Sequence, residues 1–78
     1  MVVNCEIVES LYEDEEAKQV ITYGLVFFKK GNNYKPVKVV EDIFANKSKI
    51  VALKELINNN DLCAIHIDDV IEDAILSW

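Results

Sequence analysis

The chain contains no arginine. The planar fork that usually grips carboxylates and phosphates is therefore missing. It has only two glycines, Gly24 and Gly31, and no G-x-G or G-K-S/T run, so it cannot form a glycine-rich phosphate cradle. Its single histidine is His66. Any Ser-His-Asp or Cys-His mechanism would have to use it as base. Two cysteines, Cys5 and Cys63, could in principle form one disulfide, but without a secretion signal they read as free thiols in a reducing compartment. The longest apolar run is Leu25-Val26-Phe27-Phe28, far short of the roughly 20 residues that span a bilayer. No basic residue precedes an apolar stretch at the start, and Asn4 and Glu6 interrupt that region. The expectation is a cytoplasmic protein that neither enters a membrane nor carries a secretory leader.

What is present is an apolar, acidic chain. Of its 78 residues 51% are hydrophobic, enough for the core of one small domain over residues 1–78 and too many for disorder. The net charge is −6. All eight basic residues are lysines, and all lie between Lys18 and Lys54. Both flanks are purely acidic: Glu6, Glu9 and Glu13 to Glu16 on one side, Asp61, Asp68, Asp69, Glu72 and Asp73 on the other. This segregation suggests that the ends fold back on the lysine-rich middle, or present acid to a partner. A net-negative chain repels phosphate, so nucleic acid is not an expected partner.

The pattern along the chain changes period once. Val3, Cys5, Ile7 and Leu11 alternate with Asn4, Glu6 and Ser10, which predicts a half-buried strand. Glu13 to Glu16 reads as a solvated turn; it lacks the spaced Asp/Asn and the glycine of a calcium loop. Residues 18–30 are apolar on both faces toward their end, as in a central strand. Gly24 inside that strand marks a bulge or a close approach by another group. Gly31-Asn32-Asn33 predicts a turn. A third strand runs from about Tyr34 to Phe44, and Pro36 places its beginning at an edge.

Helical spacing then takes over. Ile50, Leu53, Leu56 and Ile57 form one stripe, with Asn46 or Ser48 as its cap and Asn58 to Asp61 as its end. Ile67, Val70, Ile71, Ala74, Ile75 and Trp78 form a second stripe. Asp68 and Asp69 lie in its first turn, where the helix dipole favours negative charge. The expected fold is α+β: a three-stranded antiparallel β-meander followed by two α-helices packed on one face of the sheet. No internal repeat or linker interrupts it.

Two helices cover one sheet face. The other would expose Val8, Val20, Val26, Phe28 and Val40, mixed with Asn4, Glu6, Thr22 and Lys38. Apolar side chains gathered on a small protein's surface mark an interaction site, so these five valine and phenylalanine positions are the candidate surface.

Other constellations are weaker. His66, Asp69 and Asp73 share a helix face, and Cys63 lies three residues before His66. One helix alone rarely converges enough ligands for a metal, and like charges spaced this way usually form a solvated face. Lys29, Lys30, Lys35 and Lys38 surround Tyr34 near the second turn and read as a solvated hairpin tip.

The stretch from Leu62 to Leu76, with His66, Asp69 and Asp73, resembles the C-terminal signature of a family of small uncharacterised proteins of clostridial-type bacteria. That signature runs His-Leu-x-Asp-Val-Ile-Glu-Asp-Phe-Leu after an Asn-containing turn. Thr22-Tyr23-Gly24 is similar to the family's early Tyr-Gly. Ala74 stands where the family often has an aromatic, so packing there is expected to differ. The family is a domain of unknown function, so the resemblance implies a lineage and a small α+β architecture and supplies no catalytic residues.

These observations lead to three functional expectations. The first is a non-catalytic interaction or regulatory module that forms a homodimer or binds a protein partner through the second sheet face, with no catalytic residue, metal, cofactor or small-molecule substrate. The second is an acidic decoy that binds a basic nucleic-acid-handling protein. The third is a metal-binding protein or enzyme using Cys63, His66, Asp69 and Asp73.

Overall fold

In the computed structural model, which describes residues 1–78, the chain forms three strands and then two helices. The strands are β1 (Val3–Glu13), β2 (Gln19–Lys29) and β3 (Asn32–Phe44). They pair antiparallel in the order β1-β2-β3, with β2 in the centre. The helices are α1 (Lys47–Asn59) and α2 (Ile67–Ser77), the second preceded by a short 3-10 turn at Ala64–His66. The α+β meander with two helices is therefore the fold, and no helix is long and apolar enough to cross a membrane.

Local chemistry sets each boundary. The Asp14 carboxylate accepts from the backbone N–H of Glu16 and of Lys18, each at 2.9 Å, so the acidic run becomes an ordered turn. Ala17 completes it at φ 60°. The next turn is Lys30-Gly31, one residue earlier than expected: Gly31 takes φ 86°, and Asn32 already pairs with Lys29. Asn46 caps α1, its side chain accepting from the Lys49 N–H at 3.2 Å. The amide of Asn60 closes the far end on the Leu56 carbonyl at 2.7 Å. His66 sits at the start of α2 without a capping hydrogen bond from its side chain, while Asp68 and Asp69 occupy the first turn.

One core forms between the sheet and both helices. Val3, Cys5, Leu25 and Phe27 meet Ile50, Leu53 and Ile57 of α1 and Ile67, Ile71 and Ala74 of α2. Leu56 and Ile75, placed on the helical stripes by spacing, are instead about half exposed, 46% and 50%. Each stripe is thus narrower than its sequence pattern, because the three-stranded sheet beneath is narrow. The terminal Trp78 stacks on Phe44 with ring centroids 6.0 Å apart and anchors the end of α2 to the end of β3.

The acidic flanks do fold back on the lysine segment. Lys30 meets Asp61 at 2.6 Å, Lys38 meets Asp68 at 2.6 Å, and Lys54 meets Glu6 at 3.0 Å. These pairs are solvent-exposed and contribute ~0.2–1 kcal/mol each. They orient the helices more than they stabilise them.

Gly24 is the tightest point of the sheet. A Cβ there would lie 2.1 Å from the Val40 carbonyl oxygen and 2.7 Å from the Glu41 Cα. Both obstacles are backbone, so β3 itself would have to move. Gly24→Ala is therefore expected to destabilise the fold by about 2–3 kcal/mol, the cost of overpacking a rigid site. A urea titration checks this, and an unchanged midpoint would contradict it.

Candidate functional site

The candidate surface follows from pairing. In an antiparallel sheet, residues directly opposite one another share a face. Cys5 opposes Phe27 and Ile7 opposes Leu25, so the odd-numbered residues of β1 and β2 face the helices. The even-numbered ones point away. Val8, Val20, Val26 and Phe28 lie on this second face, as their alternation predicted, and no helix covers it. Val8, Val26 and Phe28 are half-buried by their neighbours in the sheet, and Val20 is exposed.

Val40 does not belong to that surface. It pairs with Leu25 and packs against the core. Lys38 likewise opposes Phe27 and reaches Asp68 of α2 from the helix side. The true occupant of the second face is Val39, opposite Val26 and half exposed, with Val37 beside it in the alternation. The cause is the turn: with Lys30-Gly31 at its tip, Lys29 pairs with Asn32, so even-numbered residues of β3 oppose odd-numbered ones of β2, and the shifts around Phe28 cancel in parity before Lys38 and Val40. A turn placed one residue later would invert the facing of the whole strand, and nothing in β3's own alternation chooses between the two turns. β3 shifts register between Tyr23 and Leu25 as well. Asp42 takes φ 56° inside that irregularity.

At its far end this surface continues onto an arm. β3 leaves the sheet at Phe44, opposite Tyr23, so β1 and β2 run on alone. Leu11 pairs with Ile21 on the helix side and Tyr12 with Val20 on the other, and all four are exposed. Spacing placed Leu11 in the core, but the helices do not extend that far. The arm ends in the acidic turn at Asp14.

Thr22 also lies on the second face, opposite Ser10. It is 8% exposed, and its hydroxyl is buried with no hydrogen-bond partner. An unpaired buried hydroxyl opposes folding.

A separate concavity of about 390 Å³ lies between the helices, lined by Leu56, His66, Asp69, Val70, Asp73, Ala74 and Trp78. The structure thus gathers His66, Asp69 and Asp73 in one cleft. The imidazole Nδ1 is 3.8 Å from the Asp69 carboxylate, and both side chains are exposed. Cys63 lies outside this lining, and no hydrogen bond joins its thiol to His66. No three of the chain's His, Cys, Asp and Glu side chains converge closely enough to hold a metal ion. The cleft can accept a cationic group but contains no nucleophile beside its base.

The two cysteines are unpaired and chemically opposite. Burial pushes the Cys5 thiol up to about 12, opposed in part by Lys54. The backbone N–H of Ile65 holds Cys63 below the ordinary thiol range, with the terminal ammonium and the Ala64 N–H adding to it.

Two measurements follow. Thr22→Val removes the unsatisfied hydroxyl at constant volume and adds strand propensity. It should raise stability by about 1 kcal/mol; a loss in thermal unfolding temperature would mean that Thr22 has a partner in solution. In native alkylation followed by peptide mass mapping, Cys63 should react at pH 8 while Cys5 stays protected, because Cys5 remains protonated and buried. Equal labelling would contradict the assigned environments.

No curated protein and no solved structure matches this chain. A family model does: it matches residues 1–77, and the chain belongs to that family of unknown function, DUF6514.

Proposed function

We propose that the protein is a non-catalytic, protein-binding module of the bacterial cytoplasm that engages its partner through the bare face of the sheet. The observation that supports this reading is the set of apolar side chains gathered on that face, Val8, Val26, Phe28 and Val39, extended by Val20 and Tyr12 on the arm. The non-catalytic reading is supported by dispersion of the reactive groups: Cys5 is buried, Cys63 lies outside the His66 cleft, and His66 has only an exposed carboxylate beside it. Bacterial origin rests on the resemblance of the Leu62–Leu76 stretch. The compartment rests on the two free thiols, which a reducing environment keeps unpaired.

The partner is a different protein rather than a twin. A chain of net charge −6 is repelled by its own copy, most strongly at the arm, where the carboxylates gather. The same carboxylates favour one second reading, an acidic decoy for a basic nucleic-acid-handling protein. Salt separates the two, since screening weakens an ionic contact and spares an apolar one.

Affinity capture of the tagged chain and of its Val39→Glu variant, at low and high salt, tests both. Val39 is exposed on an edge strand, so the variant is expected to fold. A partner held at high salt by the wild type and lost by the variant supports the sheet-face module. A partner lost at high salt and indifferent to Val39→Glu favours the acidic decoy. A chain that remains monomeric and retains nothing specific sinks the proposal.

A further inference from the structure

The outer edge of β1 is closed over its first half and open over its second. Which backbone groups face outward follows from three contacts. The Val3 N–H donates to the Leu62 carbonyl at 2.9 Å. The Cys5 N–H donates to the Asn58 side-chain oxygen at 2.8 Å, and the Asn58 amide donates back to the Cys5 carbonyl at 3.0 Å. Odd-numbered residues of β1 therefore point their N–H and C=O away from β2. The register runs from Val3↔Lys29 to Glu13↔Gln19 without a shift, so the same orientation holds for Ile7, Glu9 and Leu11. No element of the molecule pairs with the outward groups of these three residues.

The other edges are guarded. β3 carries Pro36, which cannot donate, together with three register shifts and the positive φ of Asp42. β2 is bare on its β3 side only over residues 19–22, a shorter stretch than the open half of β1. The distal half of β1 has none of these guards. It is regular in register and free of proline. Its one restraint is charge of a single sign, from Glu9 and Glu13 with Asp14 and Glu15 beyond them. Carboxylates on an edge repel an identical edge, because antiparallel self-pairing brings acid beside acid. They attract a basic one.

Resting on the sheet-face reading, we infer that the partner binds by strand addition: an extended basic segment pairs with Ile7, Glu9 and Leu11 on the open edge of β1. The pleat dictates its pattern. Glu9 and Glu13 lie four residues apart on the helix side with Leu11 between them, so the segment places lysines or arginines at i and i+4 and an apolar residue at i+2. Its intervening residues lie toward Val8 and Tyr12 on the second face, which joins the edge to the apolar surface. Backbone hydrogen bonds supply affinity, and the alternating side chains supply selection.

The test uses the full isotope-labelled chain and a capped peptide, Lys-Lys-Val-Val-Thr-Lys-Val-Val-Lys, followed by NMR. Binding should shift the Ile7, Glu9 and Leu11 amides and slow their exchange with solvent. The protein variant Leu11→Pro deletes one outward N–H while leaving the β2 ladder intact, and should weaken binding by about tenfold. Replacing the peptide lysines by glutamates should abolish it, and added salt should weaken it. Shifts confined to Val26, Phe28 and Val39 would overturn strand addition while leaving the sheet-face reading in place. No shift at millimolar peptide would overturn it too. Concentration-dependent broadening of the edge amides without peptide would also overturn it, because a second copy would then occupy the edge.

Discussion

One side chain, Asn58, determines how the two halves of the molecule meet. Its carboxamide both donates to and accepts from the backbone of Cys5, 53 residues away, and so does what a neighbouring strand would do at that position. Few side chains qualify. An aspartate could accept but not donate, and a leucine could do neither. The double bond places the last turn of α1 against β1, which sets Leu53 and Ile57 over the core that Cys5 and Phe27 begin. It also fixes where the chain goes next. Leu62 returns to the Val3 N–H, Ala64 to the Met1 carbonyl, and α2 starts from there. The high pKa of Cys5 is a by-product of the same packing, since the helix that closes the edge also removes the thiol from water.

A second constraint comes from β3, which crosses too close to β2 for any side chain at position 24. Beyond that crossing it turns at Asp42 and leaves the sheet at Phe44. Ile43 and Phe44, consecutive residues, can then both serve the interior: Ile43 in the core cluster, Phe44 packed against it and stacked on Trp78. A regular strand would send one of them to the opposite face. The departure of β3 is also what leaves the arm two-stranded.

The meander, the central place of β2 and both helices were legible in the sequence because each rests on periodicity within one segment. The fold-back of the acidic flanks was one of two readings that the charge blocks left open; Glu6, Asp61 and Asp68 take it, pairing with Lys54, Lys30 and Lys38. Val8, Val20, Val26 and Phe28 were legible for the same reason, as β1 and β2 pair without interruption. Val40 and Lys38 were not. Their facing depends on where the hairpin turns: Gly31-Asn32-Asn33 reads as the turn, but Lys30-Gly31 takes it, and one residue of difference inverts the whole of β3. Leu11 failed for a different reason: its alternation is that of a core residue, but the cover it would need ends short of the arm. Asn58 read as a helix terminator. Its role as an edge clamp depends on a partner that only the tertiary fold brings near.

The arm is where these constraints converge. A two-stranded ribbon exposed on both faces is marginal in water. Its continuous register with the rest of β1 and β2, and the Asp14 turn, hold it in place. Evolution commonly shortens or twists such an element, or covers it. Here it keeps its register and carries apolar side chains on both faces, with acid at its rim. A third strand would satisfy the free backbone groups of Ile7, Glu9 and Leu11 and neutralise Glu9 and Glu13, and on its second face it would shield Tyr12. The same chain that closes one half of β1 with Asn58 leaves the other half open, and the boundary falls where acidic side chains replace the packing of α1.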